Sequence, residues 1–176
     1  MFVDLLRKRR SIRSFDQRQV EVEKIELLTE ALLRSPTSKG RHPWDFIVVT
    51  DPDIKSLLSS AKAKGAAFLA HAPLCIVICA DPKVSDVWIE DCAVAATIIQ
   101  LAAEDLGLGS CWSQVRRRQH ETGAPSTTIL RRILQLPDHF EVTSIIGIGY
   151  PVACIAPHSY SSLPMHKIHK NVYQGQ

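Results

Sequence analysis

Apolar residues recur along this chain with two periods, and the alternation between them lays out the fold. Phe2, Leu5 and Leu6 share one face of a short helix predicted over residues 2–9. Ile25, Leu28, Leu32 and Leu33 keep helical spacing through 21–34, and Pro36 ends that helix because the residue before a proline disfavours the α region. A strand follows over 44–50. Asp51-Pro52 then opens a helix predicted to run to about Lys64. Leu74 to Ala80 is an unbroken apolar run, as expected of a strand covered on both faces. The segment 87–106 is Ala-rich and nearly uncharged through its middle, which predicts a helix buried on most sides in a core or a dimer interface. Gly107 and Gly109 stop it. A short strand over 110–115, a helix over 127–136 and a strand over 142–149 complete the pattern. Tyr150-Pro151 begins a tail to residue 176 with no core of its own, but with Leu163, Met165, Ile168, Val172 and Tyr173 available to wrap another surface. Mixed helices and strands without a repeat or linker predict one α/β or α+β sandwich domain.

Composition narrows the function. At 176 residues and 45% hydrophobic, the chain can bury a real core. A net charge of +3 is too small for a general nucleic-acid binder. The charge is uneven, however: in the first eighteen residues Arg7, Lys8, Arg9, Arg10, Arg13 and Arg18 face only Asp4 and Asp16. Such a cluster suits a small anion better than a long polyanion. Five cysteines, three of them (Cys75, Cys79, Cys92) in apolar runs, predict free buried thiols in a reducing compartment. There is no signal-peptide pattern and no apolar run near 20 residues, so a soluble cytoplasmic protein without a membrane span is expected.

Two segments carry candidate chemistry. Arg9-Arg10-Ser11-Ile12-Arg13 offers planar guanidinium donors and a hydroxyl, the groups that bind a phosphate monoester. Arg9 and Arg13 lie four apart, so a helical or turn backbone would put them on one side. Ser35-Pro36-Thr37-Ser38-Lys39-Gly40-Arg41-His42-Pro43-Trp44 is a proline-bounded, hydroxyl-rich loop before a strand, where backbone amides can meet a polar ring.

These segments, with Gly107-Leu108-Gly109-Ser110-Cys111-Trp112 after the Ala-rich helix and Ile148-Gly149-Tyr150-Pro151, resemble the nitroreductase family in order and spacing over nearly the whole chain. The resemblance implies a central, mostly antiparallel sheet flanked by helices, in an intertwined homodimer with flavin mononucleotide (FMN) at the subunit interface. It implies cofactor contacts from Arg9, Arg10, Ser11 and Arg13, with Arg13 also reaching the pyrimidine edge. Pro36, Thr37 and Ser38 would face the ring from the partner subunit, with Gly40 and His42 standing where relatives carry the amides of Asn-x-Gln-Pro-Trp. Cys111, Trp112, Ser113 and Gln114 would bring backbone near the reactive nitrogen. Many relatives supply a phosphate-binding cation from the tail just before Leu-Pro. This chain has Ser161-Ser162 there, so Arg116 or Arg118 is the expected replacement.

Other chemistries lack their motifs: no phosphate-binding Gly-x-Gly-x-x-Gly after a strand, no Walker loop, no Gly-x-Ser-x-Gly. Cys75 and Cys79 have no paired zinc ligands, and His166 and His169 form an isolated pair. Cys111 has no base beside it in sequence. The resemblance therefore points to an oxidoreductase that passes hydride from NADH or NADPH through FMN to a nitroaromatic, quinone or similar acceptor by a two-step exchange. No catalytic side chain is required, because the flavin carries the chemistry. A flavin carrier or sensor with little turnover, and a cofactor-free structural dimer, are the alternatives.

Overall fold

The computed structural model describes residues 1–175. Five helices and four strands alternate: α1 (Phe2–Lys8), α2 (Val22–Leu33), β1 (Trp44–Val49), α3 (Pro52–Ser60), β2 (Leu74–Ala80), α4 (Trp88–Asp105), β3 (Gly109–Gln114), α5 (Ser126–Leu134) and β4 (Glu141–Gly149). The strands form one antiparallel sheet in the order β1-β2-β4-β3. It is an α+β sandwich, as the sequence pattern predicts.

The central position of β2 explains its unbroken apolar run. Every residue from Leu74 to Ala80 is buried. Cys75, Val77 and Cys79 enter one core with Leu58, Phe68, Leu69 and Leu130 from α3, the 67–71 turn and α5. Leu74, Ile76 and Ile78 enter the other with Leu28, Leu32, Ala95, Ala96 and Ile99 from α2 and α4. A period of two thus feeds two hydrophobic layers from one strand. Cys75, Cys79 and Cys92 are free thiols inside these layers, and burial pushes each to about 12. They are inert as nucleophiles.

Two expectations need correction. The helix opened by Asp51, whose carboxylate accepts the Asp53 and Ile54 N–H groups, ends at Ser60 rather than near Lys64. Beyond it the Ala63 N–H is taken by the Gln119 carbonyl, 3.0 Å away, and Gly65 has φ +78°. The backbone is bound laterally instead of to its own helix. A single 3-10 turn at Ala67–His71 also lies where no element is expected, and it buries Phe68 and Leu69. The Ala-rich α4 buries Asp91, Cys92, Ala95, Ala96, Ile99, Gln100, Leu101 and Ala103 and opens a narrow stripe of Glu90, Val94, Thr97 and Asp105, so it is covered on most sides, as its composition predicts. Gly107 (φ +73°) ends it, as its sequence position suggests.

Tyr150 fixes the point where the chain leaves the sheet. Its hydroxyl donates to Glu21 Oε2 at 2.5 Å and accepts from Lys24 Nζ at 2.8 Å, while Arg18 lies 4.1 Å over its ring. Lys24 also reaches the Leu106 carbonyl at 2.9 Å, tying α2 to the end of α4. The tail beyond it is exposed, apart from a half-buried His169, and carries single 3-10 turns at Tyr160–Ser162 and Met165–Lys167. Gln176 lies outside the described residues. Among the described residues no helix is long and apolar enough to cross a membrane.

The Tyr150 hydroxyl, followed by the bond from its own backbone and by Arg18, holds Glu21 at about 2 instead of the ordinary 4.5. A depressed carboxylate adds stability above its unfolded pKa and loses it as pH falls through the folded one. Tyr150→Phe should therefore be less stable than the parent at neutral pH, with the difference shrinking as pH falls from 4.5 toward 2. Urea unfolding at several pH values measures this, and a gap that stays constant across that window would contradict it.

Candidate functional site

The basic segment near the start of the chain lies against β3, extended rather than helical. α1 ends at Lys8, and Arg9 takes φ −54°, ψ 126° while its N–H still bonds to the Leu5 carbonyl. Ser11 bridges Ser110 in parallel fashion, and the Ile12 N–H donates to the Ser110 carbonyl at 2.9 Å. Ile12 is buried over Gly109: a Cβ added there would lie 2.8–3.0 Å from the Ile12 side chain, so only glycine admits this approach. Phe15, bridged to Pro151, anchors the far end. In extended backbone alternate residues share a side. Arg9, Ser11 and Arg13 are therefore brought together as expected, but by strand alternation instead of a helical turn.

They gather around Cys111 on β3. The thiol is buried, which pushes its pKa up, while Arg13, Arg9, Lys62 and the Ser11 hydroxyl pull it back. A buried, protonated thiol with no base is not a nucleophile. Lys62, from the segment after α3, completes the cluster. Its Nζ donates to Ser113 Oγ at 3.2 Å and to the Gln114 carbonyl at 3.0 Å. Burial lowers its pKa, and the neighbouring Arg118 guanidinium lowers it further. Arg9, Arg13, Lys62 and Arg118 form no ion pair among the described residues. Cations gathered without carboxylates, beside the hydroxyls of Ser11 and Ser113, form an electropositive surface whose donors suit a compact anion such as a phosphate monoester.

The remaining expected contacts divide. Arg10 turns to the tail and donates to the Ala156 carbonyl. Trp112 and Gln114 point to the opposite face of the sheet, where Trp112 Nε1 donates to Gln114 Oε1 at 2.9 Å and Gln114 Nε2 to the Arg116 carbonyl at 3.0 Å. Arg116 stands 5.9 Å over the ring of Trp88 on α4, away from Lys62. Of the two arginines expected to replace a tail cation, Arg118 is the one beside the cluster.

The loop 35–44 lies at the other edge of the sheet, before β1. Its 3-10 turn Ser38–Gly40 contains Lys39 at φ 53° and Gly40 at φ 63°, and His42 follows at φ 47°. Thr37 Oγ1 accepts the His42 N–H at 3.1 Å, and Asp91 Oδ1 accepts the Ser38 N–H at 2.8 Å. Arg41 pairs with Asp86 at 3.0 Å, and the His42 ring lies 5.3 Å from that of Trp44. At about 4.8 Å per strand, this loop and the cation cluster are on the order of 15–20 Å apart in one chain. Pro36, Thr37, Ser38, Gly40 and His42 thus do not share a pocket with Arg9 and Arg13 of the same chain.

Two participants escaped the sequence reading. Lys62 carries no local signal, since an Ala-Lys-Ala-Lys-Gly stretch reads as a solvated turn. Asp91 had a faint one: a carboxylate in the first turn of an otherwise apolar helix. No group of three or more His, Cys, Asp or Glu residues placed to hold a metal occurs among the described residues.

The model of the Nitroreductase family matches residues 6–66 and 55–150. An FMN-dependent nitroreductase of Clostridium difficile R20291 superposes with a TM-score of 0.95 at 43% identity, over 97% of this chain and 99% of its own. A protein of Archaeoglobus fulgidus named for NADH dehydrogenase or NAD(P)H nitroreductase activity is 40% identical over 147 residues, 81% of each chain. An FMN reductase (NADPH) of Bacillus subtilis is 26% identical over 170 residues, 85% of this chain and 65% of the relative. The family model over residues 6–150 and the relatives at 40% and 43% identity show that the chain belongs to the nitroreductase family.

Proposed function

We propose that this protein is an FMN-dependent oxidoreductase that works as a homodimer, with each flavin held between the cation cluster of one chain and the 36–42 loop of the other. The observation that carries this reading is the cluster of Arg9, Arg13 and Lys62 around Cys111, with Arg118 beside Lys62, none of them ion-paired among the described residues, which fits the phosphate and polar edge of FMN. When bound, the flavin supplies hydride exchange between NADH or NADPH and a nitroaromatic, quinone or similar acceptor in two successive half-reactions. The chain's own residues do the rest. The guanidinium groups and Lys62 bind and orient the anion, and Arg13 places positive charge where negative charge would develop. Thr37 and Ser38 present hydroxyls and backbone from the second chain.

Several features support the dimer. One chain alone exposes Phe2 at 62% and Leu6 at 50% on α1, with Tyr160, Leu163, Ile168 and Tyr173 on the tail. Among the described residues β1 has no strand on its outer edge, and a mostly apolar groove beside it is lined by Leu32, Leu33, Trp44, Phe46 and Val48 with Thr29 and Asp45. The indole N–H of Trp44 is buried there without a partner among the described residues. A tail from a second chain, laid along this edge, would cover both and satisfy that donor.

The direct test is the purified protein itself. It should carry flavin absorbance, release FMN on denaturation, and be bleached by NADH or NADPH within seconds in stopped flow. Reduction only over many minutes would favour a flavin carrier or sensor, a reading to which the replacement of the usual amides by Gly40 and His42 lends weight. A colourless protein that takes up no FMN would overturn the proposal.

The two candidate arginines make a sharper prediction. A charge-assisted phosphate contact is worth about 1.5–3 kcal/mol, so Arg118→Ala should weaken FMN binding by roughly 10- to 100-fold in fluorescence titration. Arg116→Ala, with its guanidinium over Trp88, should stay within about twofold. Equal losses in both variants, or none in either, would contradict the assignment.

A further inference from the structure

Asp91 is the fourth residue of α4, only 5% exposed, in a helix whose buried neighbours are otherwise Cys, Ala, Ile and Leu with one Gln. A buried carboxylate persists only when its lone pairs are taken up. Here both oxygens are used. Oδ1 accepts the Ser38 N–H at 2.8 Å, and Oδ2 accepts the hydroxyl of Ser85, itself 1% exposed, at 3.1 Å. Ser85 Oγ in turn accepts the Val87 N–H at 3.3 Å. The carboxylate therefore joins the turn of the 36–42 loop to the segment that leads into α4. Its place in the first helical turn suits its negative charge.

The loop needs such a tether. Lys39, Gly40 and His42 all adopt left-handed backbone, and for the two non-glycine residues that conformation persists only where surrounding contacts over-determine it. The contacts come from three directions. Thr37 Oγ1 holds the His42 N–H, Asp86 holds Arg41, and Asp91 holds Ser38. Two of the three start from the short stretch 85–91. Asp91 is the buried one, unscreened by water and bonded to backbone rather than to a mobile side chain.

We propose that Asp91 is a positioning residue for flavin binding: its bond to the Ser38 N–H fixes the conformation in which the 36–42 loop meets the flavin ring. This rests on the reading of that loop as the wall facing the ring of a flavin held by the partner. The cation cluster lies at the other edge of the sheet, so loss of the tether should act on the ring and spare the phosphate. Affinity for riboflavin, which lacks the phosphate, should then fall by the same factor as affinity for FMN.

Asp91→Ala and Asp91→Asn separate the tether from mere packing. An asparagine can still accept from Ser38 N–H through its oxygen and donate to Ser85 Oγ through its nitrogen. Asp91→Ala should bind FMN and riboflavin at least about tenfold more weakly, by matching factors, with the visible flavin band relaxing toward that of free flavin. Asp91→Asn should stay within about threefold of the parent. Parental affinity and spectrum in Asp91→Ala would overturn the inference, as would an Asp91→Asn as impaired as the alanine variant. Should circular dichroism show Asp91→Ala unfolded, Ser85→Ala decides. A loss of roughly threefold for both ligands supports the tether, and unchanged binding overturns it. A parent protein that binds no flavin would overturn both this inference and the reading of the loop, and that result appears before any variant is made.

Discussion

Cations held together without counter-charge are the constraint on which the rest of this structure depends. Arg9 and Arg13 on the extended segment, Lys62 after α3 and Arg118 after β3 converge on one stretch of β3 and form no ion pair among the described residues. Like charges so placed repel, and the desolvation that lowers the Lys62 pKa adds to the cost. The fold must hold them there by other means. It does so with Ile12 buried over Gly109, Phe15 bridged to Pro151, and the Ile12 N–H on the Ser110 carbonyl. Apolar packing and backbone pairing thus set up an electrostatic arrangement that an anion would relieve, so that binding and local stability become linked.

The sheet order gives this cluster its second consequence. β1 and β3 are the two edges of a four-stranded sheet, and the cluster and the hydroxyl-rich loop sit at opposite edges. Neither half makes a complete site for an extended ligand with a phosphate at one end and a polar ring at the other. The exposed apolar residues of α1 and the tail, with the open edge of β1, favour completion by a second chain. Strain and tethering in the loop then make sense as preparation of a surface for a ligand held by the partner.

Much of the fold was legible in the sequence because its signals are local. The two-layer burial of β2, the helical stripe of α2 and the stop at Gly107 follow from period and backbone freedom alone. The Arg9–Arg13 pair shows how a right conclusion can arise from the wrong geometry: residues four apart share a side in a helix and also in a strand. What stayed hidden was set by tertiary structure. Nothing near Lys62 in sequence reveals that Ser113 and Gln114 await its ammonium. The positive φ of Lys39 and His42 belongs to residues that carry no glycine-like signal. Strand alternation sends the Trp112 and Gln114 side chains away from those of Cys111 and Ser113, and the turn after β3, with Arg117 at φ 59°, separates Arg116 from Arg118.

The central claim is that each flavin site is built from two chains, and subunit mixing tests it most directly. One variant would lack the cation half through Arg9→Ala with Arg13→Ala. The other would lack the loop half through Ser38→Pro, which removes the N–H that Asp91 holds. Each alone should bind FMN poorly. If the site spans two chains, mixed dimers regain one intact site each, and tight FMN binding with NAD(P)H-driven bleaching reappears on subunit exchange. If mixed dimers form and bind no better than either variant alone, the two halves do not belong to one site across the interface, and the account is wrong.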